Sequence, residues 1–194
     1  MPWEKSFDMD DAVARAMKVF WAKGYEATSI SDLVNGMGIN KGSLYNAFGS
    51  KKDLFTRVVL KYDRENQQET IAHLEALDDP VVALTTLFDG LIAESAADTE
   101  RKGCFLVNTA LELPSHDEDI REMIKSAFAD MEAFLRGQIT LGQERGAIPE
   151  EVKAGETAKS ILSLIVGLRV LARGVFDVAA LRAIKSDALR LISA

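Results

Sequence analysis

The feature that most constrains this chain is a pair of short amphipathic helices joined by a glycine turn, each opened by its own capping signal, over residues 28–55 (TSISDLVNGMGINKGSLYNAFGSKKDLF). Ser29 and Asp32 form the S-x-x-D pattern of a capping box. Ile30, Leu33, Val34 and Met37 follow at i, i+3, i+4 and i+7, one face of a helix. Gly38 stands where a chain leaving a helix needs a residue tolerant of positive φ. Asn40 then caps a second helix, with Ile39 and Leu44 spaced as a hydrophobic staple. Turning Leu44 and Phe48 inward leaves Lys41, Gly42, Ser43, Tyr45 and Asn46 outside. Ser50 with Asp53 opens a third helix whose inner stripe is Leu54, Phe55, Val58, Val59 and Tyr62.

Two short helices with a tight turn between them make a helix-turn-helix, whose second helix enters the major groove of DNA. The outward residues suit that chemistry. Lys41 and Lys51 can neutralise phosphates, Ser43 and Tyr45 can donate to phosphate oxygens, and Asn46 can reach a base edge. Gly42, lacking a side chain, lets the backbone approach the groove. Taken alone, the same pattern also fits a capped helix pair with a merely solvated face.

At these residues the sequence resembles a family. Gly24-Tyr25, Thr28-Ser29, the run from Gly38 to Phe48 and Ser50-Lys51 are similar to the DNA-binding domain of TetR family bacterial transcriptional regulators. The resemblance covers about the first third of the chain. It implies an all-α protein: a three-helix DNA-binding domain over residues 1–49, then a larger helical effector-binding and dimerisation domain over 50–194. It also implies a homodimer on a short palindromic double-stranded operator, released by a small-molecule effector; because blocking a promoter needs only occupancy, a repressor is expected. The implied DNA-binding set is Thr28, Ser29, Asn40, Lys41, Gly42, Ser43, Tyr45, Asn46 and Lys51.

The net charge of −7 fits a DNA binder only once it is divided. Residues 1–64 hold ten Lys/Arg against eight Asp/Glu, and the remainder thirteen against twenty-two, so the amino-terminal part alone can face phosphate. Residues 1–6 read as a loose arm and Asp8 to Lys23 as the first helix, with Val13, Ala16, Met17 and Phe20 inward and Trp21 packed beside them. From Ser50 no breaker appears before Asp78-Asp79-Pro80, which predicts a connecting helix over about 50–77. Asp79 and Pro80 start another helix; Gly103 precedes a short one ended by Pro114; Ser115 with Glu118 caps a long one reaching Arg145-Gly146.

The stretch ETAKSILSLIVGLRVLARG is apolar around most of its circumference, and the last helix repeats the theme. This excess predicts a dimer interface through Ile161, Leu164, Ile165, Leu168, Leu171, Leu181, Ile184 and Leu191, with Gly167 permitting close approach, the alternative being that these helices complete an intramolecular core. The family resemblance implies that the middle of the chain encloses the effector, with Phe88, Leu91, Cys104, Phe105, Asn108, Met123, Met131 and Phe134 as candidate lining residues, each of which also fits a plain core position. Cys104, following Arg101 and Lys102 at a helix start, has the setting of a reactive thiol, so redox or electrophile sensing through Cys104 is an alternative signal, beside the plain role of a small buried hydrophobe.

A single cysteine excludes an internal disulfide and a cysteine-cluster metal site, and no cofactor is expected. His73 and His116 have no ligand-spaced partners and no nucleophile or phosphate-loop pattern is present, which argues against an enzyme. A helical protein-interaction module would explain the apolar carboxyl end, but not Lys41, Tyr45 and Lys51 together. With no amino-terminal h-region and no uncharged apolar run of 18 residues, a cytoplasmic protein with no membrane partner is expected.

Overall fold

A computed structural model of the chain describes residues 7–112 and 117–193. The expected arm over residues 1–6, the stop at Pro114, His116 and the cap from Ser115 lie outside the described residues. Among those described there are helices and no strands.

Helix α1 (Met9–Lys23) begins where Asp8 accepts from the backbone N–H groups of Asp10 and Asp11. Helix α2 (Ile30–Met37) carries the full capping box: Ser29 Oγ accepts from Asp32 N and the Asp32 carboxylate accepts from Ser29 N. Gly38 then sits at φ 69°, ψ 31°, the left-handed conformation that the turn requires. Helix α3 (Lys41–Phe48) is capped by Asn40, whose Oδ1 accepts from Ser43 N at 2.8 Å. Helix α4 (Lys51–Tyr62) is capped by Ser50.

The connecting helix keeps its predicted extent but not its predicted uniformity. Between α4 and α5 (Glu69–Glu75) lies a π-helical segment, Asp63–Gln68. Its wide turns are held from outside: Gln67 Nε2 donates to Ala127 O at 2.7 Å, and Gln68 Nε2 to Asp130 at 3.1 Å. Nothing in the hydrophobic period of the sequence announces it.

Helix α6 (Pro80–Ala97) starts on the Asp79 cap as expected. Its 18 residues, of mean hydropathy 1.3, are long and apolar enough to cross a membrane, but Leu84, Leu87, Phe88 and Ile92 are buried in the core. The remaining helices are α7 (Phe105–Leu111), α8 (Glu118–Glu144), α9 (Ala154–Leu171) and α10 (Val178–Arg190).

Two apolar cores result. One gathers α1 to α4 together with Phe105 and Leu106 of α7 and Ile120, Ile124 and Ala127 of α8. The other joins α5, α6, the second half of α8, α9 and α10. The first is rich in rings: Phe20 meets Phe55 edge-on at 4.9 Å, and Trp21 meets Tyr62 at 5.1 Å and Phe105 at 5.8 Å. Trp21 is therefore packed, as expected, and helix α8 belongs to both halves of the molecule.

Candidate nucleic-acid interface and effector cavity

The presented face of α3 is built by burial of the opposite one. Leu44 and Phe48 are buried, while Lys41, Gly42, Tyr45 and Asn46 are exposed. Tyr45 is 40% exposed, a large ring left in solvent, with Lys41 Nζ 6.0 Å from its centroid. Gly42 has a second role beyond the one expected: a Cβ there would stand 3.3 Å from Asn40 Oδ1, so its absence also leaves room for the cap.

Two residues depart from the expected outer face. Ser43 is buried, because position N3 of so short a helix turns toward α2 once Leu44 is inside. Thr28 is buried too, its hydroxyl donating to Gly24 O at 2.6 Å, so it ties down the loop before α2. Ser29 is exposed but its hydroxyl serves the capping box. Asn40 is likewise exposed and engaged in its cap. Lys51 is half-buried, its Nζ 4.3 Å over the Tyr25 ring.

Beyond the shared core, polar contacts at two points among the described residues clamp helices α1 to α4, the candidate reading head, to the rest of the chain. Tyr25 N donates to Glu112 Oε2 at 3.1 Å, beside Gly24 at φ 77°, where a Cβ would fall 2.2 Å from the same carboxylate. Lys52 Nζ lies 3.1 Å from Asp117 and 2.8 Å from Asp119, at the start of α8. Those hydrogen-bonded carboxylates hold the Lys52 ammonium above its ordinary pKa and, in return, Asp119 below its own.

Behind this joint lies a cavity of about 250 Å³. Tyr62, Asn66, Gln67, Thr70 and His73 give it a polar side, all from the α4 to α5 run. Leu87, Leu91, Phe128, Met131, Ile165 and Val166 line the apolar side. At one end Tyr62 Oη donates toward Cys104 Sγ at 3.6 Å, and Arg169 pairs with Glu94. Burial, with Cys104 next to it, pushes the Tyr62 phenol well above its ordinary pKa, so it remains a proton donor.

Comparison with known proteins assigns this arrangement. The family model for bacterial regulatory proteins of the tetR family matches residues 12–58, and the tetracyclin repressor-like carboxyl-terminal domain matches residues 80–186. The chain belongs to the TetR family. It is 33% identical over 189 residues to the HTH-type transcriptional repressor ComR of Escherichia coli (strain K12), spanning 96% of this chain and 90% of that protein. It is 29% identical to the uncharacterized HTH-type transcriptional regulator YezE of Bacillus subtilis (strain 168), over 89% of this chain and 90% of that one. Its backbone is similar to that of a cysteine mutant of the TetR family regulator CifR complexed with 26-base-pair double-strand operator DNA (TM-score 0.85, 27% identity, 97% and 98% coverage).

Within this TetR fold the residues expected at the cavity separate. Leu91, Cys104 and Met131 line it. Phe88, Phe105 and Phe134 are buried in the cores, since a ring at an interhelical seam fills space rather than bounding it. Met123 packs against the head core. Asn108 is turned away, its amide donating to Lys102 O at 2.7 Å and its oxygen accepting from Arg173 at 3.2 Å. Arg169, 65 positions further along, shares the cavity wall with Cys104, and the sequence carries no signal for it. The polar wall from Asn66 to His73 was equally hidden, for it depends on the π segment.

The expected dimer residues also divide. Ile161, Ile165, Leu168 and Leu181 are buried inside the protomer, because α9 crosses α8 along that stripe and α10 covers α6. Leu164 and Ile184 are partly buried at the edge of the same core, Leu171 is half-buried, and Leu191 is 39% exposed. Val175 (70% exposed) and Phe176 (39%), in the loop between α9 and α10, are apolar surface that the sequence reading passed over.

Proposed function

We propose that this TetR-family chain is a homodimeric repressor, each copy presenting α3 to one half of a palindromic operator, and that a small molecule entering the cavity releases it. The observation that carries the reading is the outer face of α3: Lys41, Tyr45 and Asn46 stand exposed on a helix fixed by the Asn40 cap and by buried Leu44 and Phe48. Lys41 and Tyr45 contact phosphates and Asn46 a base edge, as in other helix-turn-helix readers. Lys51 joins them from the start of α4. Thr28, Ser29, Asn40, Gly42 and Ser43 act mainly by holding that geometry.

Dimerisation uses the surface of α9 and α10 left free by the core: Leu164, Leu171, Val175, Phe176, Ile184 and Leu191. Gly167 faces open space, as a helix crossing a second copy would require. Two heads a helical turn of DNA apart, ~34 Å, then read both half-sites. A regulator of this kind works in the cytoplasm by occupancy and needs no catalysis.

The test is selection of bound duplexes from a random pool, followed by gel shift of the selected fragment at low and raised salt. A palindrome bound by two copies with steep salt dependence is expected. Binding by a single copy, or to every sequence equally, would sink the reading.

One observation favours a second signal. Cys104 Sγ borders the cavity within reach of Tyr62 Oη, so its oxidation or alkylation would alter the same wall. Under this reading Cys104→Ser abolishes release by hydrogen peroxide and by iodoacetamide. Unchanged release removes the thiol from the mechanism.

A further inference from the structure

Two hollows meet at one ion pair. The cavity shares Tyr62, Asn66, Glu94 and Arg169 with an outer cleft of about 430 Å³ that continues to Trp21, Asp98, Lys102 and Arg173. The Arg169 side chain is only 12% exposed, whereas its partner Glu94 is 61% exposed. Glu94 can therefore turn into water at little cost, while the guanidinium cannot follow it and needs an acceptor where it stands.

Donors dominate that junction. Arg169 offers a planar fork of N–H groups suited to two carboxylate oxygens at once. The Trp21 indole N–H is buried with no acceptor among the described residues. Among the described residues, Arg173 reaches the Arg101 carbonyl and the Asn108 amide oxygen, and Lys102 pairs with Glu100. Besides Glu100, the acidic groups that line the cleft among the described residues are Glu94 and Asp98, and Asp98 already accepts from Gly103 N at 2.8 Å. On the inner side, opposite the polar run from Asn66 to His73, the cavity offers an apolar wall through Leu91, Phe128, Met131, Ile165 and Val166.

We propose that the effector is an organic acid, its apolar body in the cavity and its carboxylate on Arg169 in place of Glu94. This rests on the effector reading above and specifies its ligand. An ammonium head would meet Glu94 but lie against Arg169, and a hydroxyl head would leave the buried guanidinium one acceptor short. Because Trp21 belongs to α1, a head group at the junction touches the reading head itself.

The experiment compares three probes with one tail, octanoate, 1-octanol and octylamine, on the full-length protein. Trp3→Phe leaves Trp21 as the only tryptophan, and binding is read from its fluorescence and from the shift in melting temperature. Octanoate is expected to bind at least tenfold more tightly than either analogue. Arg169→Gln should bring octanoate down to the level of octanol, and Arg169→Lys, which keeps the charge but loses the fork, should fall between. Glu94→Gln should retain or strengthen octanoate binding.

Equal or tighter binding of octanol or octylamine overturns the proposal, as does a preference for octanoate that survives Arg169→Gln. Failure of all three probes with a protein that still shifts its operator also overturns it, while leaving release by another ligand intact. Binding of octanoate without operator release has the opposite meaning: the carboxylate site stands and the effector reading falls.

Discussion

The reading head and the cavity region are built by different means. Each of α1 to α4 starts on a side chain that accepts a backbone N–H: Asp8, Ser29, Asn40 and Ser50. Of the helices around the cavity, α7, α8 and α9 start without a side-chain cap among the described residues, at Cys104, Asp117 and Lys153. The head interior is built on interlocked rings, whereas the apolar wall of the cavity is mostly aliphatic. Local rules thus fix the part that must present one surface to DNA. The part that, under the proposed function, changes shape is held by long-range packing, which a ligand can alter.

If that contrast is right, truncation should hurt the head most. Phe20→Ala, removing a fully buried ring that meets Phe55, is expected to destabilise the protein by about 3–5 kcal/mol in urea unfolding at fixed protein concentration. Leu91→Ala at the cavity wall should cost less, about 2 kcal/mol, because it enlarges a space already present. Equal costs would erase the distinction.

Gly24→Ala probes the joint between the halves. It combines a strained φ with collision against Glu112, so a loss of about 1–3 kcal/mol and weaker operator binding are expected. Asn40→Ala removes a cap and should cost about 1 kcal/mol, measured in the same way. On DNA, Lys41→Ala should lower the slope of log K against log salt by about 1 and Tyr45→Ala should weaken all sequences alike, whereas Asn46→Ala should relax preference at one base position. Uniform loss from all three would show Asn46 to be a phosphate contact.

The smallest effect concerns pH. Hydrogen bonds from Lys23 and Ser29 hold the Asp32 carboxyl below its ordinary range. A depressed folded-state pKa contributes stability above the unfolded value, lost as pH falls through the folded one. Stability should therefore decline on acidification below about pH 4, and Asp32→Asn should flatten that part of the curve.

What was legible follows the same divide. Caps, staple and glycine turn are written in adjacent residues, so α1 to α4 emerged from the sequence nearly to the residue. Ser43 was misplaced because a two-turn helix has too few residues for its period to separate flank from face. In the second half, apolar positions were recognisable but not what they touched. Ile161 and Leu168 face their own protomer and Phe88 fills rather than lines, distinctions that depend on helix crossings with no local signature. Arg169 and Glu94, 75 positions apart, meet only after folding.

The π segment carries one more consequence. A π turn holds one residue more than an α turn, so deleting a single position between Asp63 and Gln68 would let the segment close into ordinary α-helix while α5 keeps its facing. Thr70 and His73 would stay on the hollow, but the amides of Gln67 and Gln68 would lose their reach to Ala127 and Asp130. The surplus residue is thus a peg that fastens this helix to α8, and its removal would loosen one wall of the hollow without displacing the other.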